Sequence, residues 1–260
     1  MPQRAALTPG AGFGIIQPCA LRTRRGAGGR TLSISIDTLY AGRPQPLRPR
    51  GAPSAIFKSP LQGPWTVRRT GLAGDEQGDK VHHGGPEKAL HHYARDHYAA
   101  WAADLPEIAP YLSAAPAFGE NISTLGMTED TVHVGDVFRA GGVVLQVAQG
   151  RQPCWKLNAK FGRTDMAYLT QKTGRTGWYY RVLEEGTIAP GDMLETIDRP
   201  QPDWPLSRVI GLLYDRTLAF DELAALSEIP ELARGWRELA ANRVRSRTVE
   251  SWTPRLTGEA

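Results

Sequence analysis

The chain has 260 residues, 41% of them hydrophobic and 22% charged, enough apolar material for a packed core and too much for wholesale disorder. No run of about 18 apolar residues occurs, which excludes an apolar membrane-spanning helix. The formal net charge of +4 points at first to nucleic acid, but residues 1–30 hold five arginines (Arg4, Arg22, Arg24, Arg25, Arg30) and no acid, leaving 26 basic and 27 acidic side chains in residues 31–260. The basicity belongs to the leading segment. No zinc-finger, RNA-recognition or basic-zipper motif accompanies it, so neither nucleic acid nor membrane is expected as a partner.

Residues 1–30 read as a disordered basic extension. Gly10–Ala20 offers only Phe13, Ile15 and Ile16 among Gly and Pro, not the apolar stretch of a secretory signal. Two cysteines, Cys19 and Cys154, make no disulfide framework and fit a reducing, cytoplasmic compartment.

From residue 31 the pattern becomes period two, with Leu32, Ile34 and Ile36 alternating with polar residues as in a half-buried strand. Further strands are expected at Ala55–Lys58, Trp65–Arg69, Asn121–Thr124, Val132–Arg139, Val143–Gln149, Trp178–Leu183 and Met193–Ile197, with turns at 135–136, 141–142 and 190–192. Many short strands with close turns predict a mainly β domain over 31–199, barrel-like or a folded sheet, and not a βαβ array. Helices interrupt it at about 95–103, where His97, Tyr98 and Trp101 share a face, and at Asp165–Lys172, stopped by Gly174. Residues 200–205 carry three prolines and read as a linker. Beyond them the period changes to about 3.6: Leu206, Val209, Ile210 and Leu213 form one stripe, Leu223, Leu226 and Ile229 a second, Leu232, Trp236 and Leu239 a third. This is a small three-helix module over 206–250, followed by a tail at 251–260.

Three constellations could carry chemistry. Cys154 follows a strand and a proline, with Arg151 and Lys156 near in sequence; cationic neighbours favour the thiolate, the form that attacks electrophiles or binds a soft metal. Spacing alone leaves this open against a buried structural cysteine. Five of the six histidines fall between His82 and His97, yet no zinc-binding spacing appears. The glycines of 71–78 and Gly84-Gly85 instead indicate a conformationally demanding loop able to form an anion nest. Phe118–Thr124 and Thr173–Arg181 place polar groups at loop–strand junctions.

These pieces, taken together, resemble the molybdenum cofactor sulfurase C-terminal (MOSC) domain family, in particular its YiiM-type branch. The matching segments run in order: Ile56–Lys58 with Gly63-Pro64, Gly71–Asp79, His82–Leu90, Tyr93 with Asp96–Tyr98, Phe118–Thr124, Leu125–Glu129, Val134–Asp136, Arg151–Asn158, Thr173–Arg181 and Pro190–Asp192. The trailing helices resemble the three-helix module of the same branch.

The resemblance implies a barrel-like fold that binds the molybdenum cofactor, a pyranopterin (molybdopterin) with a dithiolene and a phosphate. Related enzymes hold the metal through one cysteine, and the matching position is Cys154. It further implies Lys58, Asn121, Ser123 and Arg151 as cofactor-holding residues, with His83 as pocket wall or proton donor. The implied activity is reduction of N-hydroxylated small molecules such as 6-hydroxylaminopurine to the amine and water. No dinucleotide fingerprint or iron–sulfur spacing occurs, so electrons are expected from a separate reductase. The family analogy also implies a homodimer. A second reading keeps Cys154 as a persulfide acceptor in a sulfur or cofactor carrier without turnover.

Overall fold

In a computed structural model of the protein, the described residues are 32–78, 84–215 and 217–259. His83 and the basic extension lie outside them. The described residues open with five short strands, β1 (Ser33–Ser35), β2 (Thr38–Ala41), β3 (Gln45–Leu47), β4 (Ala52–Ser54) and β5 (Ser59–Pro60). Next come β6 (Trp65–Arg68), β7 (Gly71–Leu72), β8 (Leu90–Ala94), α1 (Asp96–Asp104) and β9 (Ile122–Thr124). The central hairpin β10 (Val137–Ala140) and β11 (Val143–Gly150) leads into α2 (Lys156–Phe161) and α3 (Met166–Thr173). Strands β12 (Trp178–Glu184), β13 (Gly186–Ile188) and β14 (Met193–Asp198) follow, then helices α4 (Leu206–Tyr214), α5 (Phe220–Ser227), α6 (Arg234–Ser246) and α7 (Thr253–Thr257).

Nine strands form one sheet in the order β1-β14-β10-β11-β12-β8-β9-β2-β5. Its pairings are antiparallel except β8 with β9, where His92 lies opposite Ile122. The sheet does not close: β1 and β5 remain its edges, so of the barrel and the folded sheet that the strand count allowed, the open sheet is the one formed. Strands β13, β6 and β7 form a separate small sheet, and β3 pairs with β4.

The alternation in the sequence maps onto burial where one face meets the core. In β12, Trp178, Tyr180 and Val182 are buried while Tyr179, Arg181 and Leu183 are half-buried. Strand β11 is covered on both faces, with seven of its eight residues buried, as a central strand between layers must be. One apolar core joins the sheet (Leu145, Val147, Trp178, Tyr180) to the three-helix module (Leu206, Val209, Ile210, Leu213, Trp236). A second gathers Tyr93, Tyr98, Trp101, Phe118, Leu157 and Phe161, with the Tyr93 and Phe118 rings stacked at 4.0 Å.

Several expectations are corrected. Residues 55–58 are a loop between β4 and β5, not a strand. The expected strand over 132–139 is interrupted by a turn at 134–135, where Asp136 accepts the His133 amide, and only Val137–Ala140 forms the strand. Two of the clustered histidines, His91 and His92, lie in β8, all five of whose residues are buried. The stretch 200–205 is helix-free but is not a loose spacer, because Trp204 is buried and its carbonyl accepts the Val134 amide. Just ahead of it, Arg199 clamps Asp136 at 2.7 Å through two nitrogens. The tail also forms a helix, α7, packed back on the body.

Candidate functional site

Strand β11 ends at Gly150 because the three-helix module stands there. A Cβ on Gly150 would lie 2.9 Å from Trp236 Cη2 and 3.1 Å from Ile210 Cδ1. The next residue, Arg151, is buried and fixed on all sides. Its amide donates to Gly177 O (2.9 Å), its carbonyl accepts Tyr214 Oη (2.6 Å), and its Nη1 donates to Phe118 O (3.0 Å). Three residues later Cys154 sits just ahead of α2, 6% exposed.

Arg151 and Cys154 line a cleft of about 590 Å³, open on one side, with Lys58, Asp75, Lys88, His91, Gly119, Asn121, Lys156 and Tyr179 among its other walls. Of the residues singled out in sequence, the fold therefore brings Lys58, Asn121, Arg151 and Cys154 into one cavity. Ser123 is not there: it is buried in β9 and donates to Tyr93 O at 3.3 Å, because it faces β8 across the parallel pair.

The cationic wall is partly neutralised. Lys58 Nζ lies 2.5 Å from Asp75 Oδ1. Asp75 also accepts the Gly42 amide at 2.8 Å and Asn121 Nδ2 at 2.9 Å. Burial pushes the Lys58 ammonium pKa down, and the Asp75 carboxylate offsets part of that shift. Asn121 is likewise engaged, with its Nδ2 donating to Tyr40 O and its Oδ1 accepting the His91 amide, each at 3.0 Å. Its first role is to join three chain segments at the cleft wall. With Arg151, Lys88 and Lys156 against Glu76, the lining keeps a net positive charge suited to a phosphate.

Sequence reasoning missed three contributors. Asp75 was visible only as part of a glycine-rich loop, and its pairing with a residue 17 positions away has no local signal. His91 packs its ring on Tyr179 at 5.0 Å. Burial, with the Arg151 charge next, holds its pKa well below the usual histidine value, so the ring is neutral, and its buried Nε2 has no hydrogen-bond partner. Lys160, on α2, donates to Ile56 O (3.1 Å) and Pro116 O (3.0 Å), cross-linking the loop of Lys58 to the loop of Phe118. Gly119 makes the close approach between those loops: its φ is +79°, and a Cβ would meet Ile56 Cγ1 at 2.9 Å.

Residues 79–195 match the MOSC domain, and residues 204–247 match the YiiM-like, 3-alpha helix domain. Protein YiiM of Escherichia coli is 40% identical over 221 residues, covering 85% of this chain and 97% of that one. This chain belongs to the MOSC family. The crystal structure of E. coli YiiM superposes on 86% of this MOSC chain and 98% of its own, with a TM-score of 0.74 and 33% identity. YiiM from Geobacillus stearothermophilus covers 81% and 99%, with a TM-score of 0.68 and 31% identity. A protein of Gibberella moniliformis named "Reductase" is 37% identical over 194 residues, which are 74% of this chain and 34% of the fungal one.

The MOSC domain is associated with molybdenum-cofactor binding, and the donor set of this cleft fits that group. Cys154 offers a soft sulfur, and the cationic side chains offer charge for a phosphate. No helix among the described residues is long and apolar enough to cross a membrane.

Proposed function

We propose that this protein is a molybdenum-cofactor-dependent reductase of N-hydroxylated compounds, converting N–OH to N–H with release of water, with Cys154 as the metal's protein ligand. The observation that carries the reading is the convergence of Cys154 with Arg151, Lys58 and His91 in one cleft. The naming of the fungal relative as a reductase supports a redox role over a purely carrying one. The bound cofactor would supply the two-electron chemistry.

The chain's own residues do the rest. Arg151, rigid through three hydrogen bonds, and the lysines on the cleft wall neutralise the phosphate. Asn121 and Asp75 hold the wall against which Lys58 is aligned. His91, kept neutral, packs its ring on Tyr179 as part of the cleft wall. Reduction consumes two electrons and two protons per N–O bond; the ammonium groups of Lys88 and Lys156 line the cleft and relay protons from solvent. Electrons would come from a separate reductase protein; the region matched here is about a third of the fungal protein's length.

The test is elemental analysis and a 6-hydroxylaminopurine reduction assay on wild type and Cys154→Ala, each expressed in cofactor-competent and cofactor-deficient hosts. Wild type from the competent host should hold about one molybdenum per chain and turn over the substrate, while Cys154→Ala should do neither. Equal activity from both hosts would refute the cofactor, and a persulfide on Cys154 without metal would favour the carrier reading.

A further inference from the structure

The segment after the three-helix module returns to the loop that carries Cys154. It is anchored at its start by Arg243, which bonds Glu250 Oε1 at 2.8 Å and whose guanidinium lies 5.2 Å from the Trp252 ring centre. Trp252 packs edge-on against Tyr214, whose hydroxyl bonds the Arg151 carbonyl. At the far end Arg50 bonds the carbonyls of Thr257 and Gly258 and lies over the Trp155 ring at 5.0 Å. Between these anchors, Arg255 makes contact with both peptide neighbours of the cysteine. Its carbonyl accepts the Trp155 amide at 2.9 Å, and its Nη1 donates to Pro153 O. Its Nη2 reaches Gln171 Oε1 at 2.8 Å, tying the same guanidinium to α3. Asn158 Nδ2 donates to Leu256 O at 2.9 Å, fixing α2 to the same segment.

We infer that Arg255 is a positioning residue for Cys154: one side chain and its own carbonyl grip the peptide groups on either side of the cysteine and set where its sulfur stands in the cleft. This deepens the reading of Cys154 as metal ligand and rests on it. A cysteine ligand is productive only when its backbone is held, because a loose loop lets the sulfur leave the geometry the metal requires. That holding is delegated to a residue 102 positions beyond Pro153. The planar, forked guanidinium is suited to bond Pro153 and Gln171 at once, which a lysine ammonium on its flexible stem does less well.

The test uses full-length protein in a Cys19→Ser background, free of cofactor, comparing wild type with Arg255→Met, Arg255→Lys and Arg50→Met. Two readouts report on the loop directly: hydrogen exchange at the Trp155 amide, and the rate of Cys154 alkylation by iodoacetamide. Arg255→Met should raise both about tenfold, the change that accompanies loss of one hydrogen bond, with the melting temperature little changed. Arg255→Lys should restore part of the protection by keeping a donor for Pro153, which a merely space-filling role would not need. Arg50→Met, at an exposed side chain, should shift both readouts the same way by less. Molybdenum content after expression in a cofactor-competent host should fall in the same order. Wild-type exchange and alkylation in Arg255→Met would overturn the proposal, as would equal behaviour of the Met and Lys variants. The cofactor-free readouts stand even if Cys154 proves to bind no metal, so failure of the clamp and failure of the metal assignment are told apart.

Discussion

Replacing Asp75 with asparagine would isolate one buried charge. Lys58 Nζ and Asp75 Oδ1 are 2.5 Å apart, with side chains 7% and 2% exposed. Asparagine keeps the shape and an acceptor for the Gly42 amide but leaves the ammonium unpaired. Removing one partner of a buried pair costs about 3–5 kcal/mol; the lower figure applies here because Lys58 borders a cleft that reaches solvent. A loss of about 3 kcal/mol corresponds to a fall of about 6–12 °C in Tm for a protein of this size. The pH dependence fixes the sign. The folded pKa of Lys58 already lies below its ordinary 10.5, with burial as the main cause, and losing the carboxylate lowers it further. Between the folded and unfolded values the unfolded chain binds more protons, so stability rises with pH. That window opens at lower pH in Asp75→Asn, so its deficit should shrink from pH 7 to pH 9.5. Urea unfolding followed by tryptophan fluorescence at both pH values measures it. In Asp75→Asn combined with Lys58→Met most of the stability should return, since no buried charge remains. A deficit below about 1 kcal/mol at pH 7, or one equal at the two pH values, would refute the argument.

Lys160→Met should cost about 2 kcal/mol, because the carbonyls of Ile56 and Pro116 lose their buried donor; urea unfolding that matches wild type would contradict this. Gly150→Ala should cost about 1–3 kcal/mol through overpacking against Trp236 and Ile210. In the same variant, loss of molybdenum alongside stability would show that the fit of the three-helix module governs where Arg151 is delivered.

The sequence declared the elements whose burial is one-sided. Strand β12 and the stripes of α4, α5 and α6 each meet the core on a single face, so the period of their apolar residues reports their conformation. Strand β8 is buried throughout, and its two histidines break any alternation. His92 is satisfied there by residues far along the chain: it bonds Tyr180 Oη at 3.0 Å and Thr124 Oγ1 at 2.9 Å, and burial lowers its pKa to about 3. The loop over 55–58 looked like a strand because Ile56 and Phe57 are apolar, but only Ile56 is buried and Phe57 is exposed. At the site, Cys154, Arg151, Lys58 and Asn121 were legible through family resemblance. Asp75, His91 and Lys160 were not, because each acquires its role from a partner or neighbour distant in sequence. Ser123, implied by the same resemblance, lies opposite Tyr93 across the parallel pair of β8 and β9 and off the cleft wall.

The grip of Arg255 on Pro153 and Trp155 also sets an order in time. Synthesis proceeds at about 5–20 residues per second, so the clamp emerges on the order of ten seconds after the loop it closes. Within that interval β12 and β14 complete the sheet, while the segment that fixes the cysteine loop is still being made. The loop carrying Cys154 is thus the last part of the cleft to reach its final geometry, and cofactor insertion during translation would meet it before it is locked.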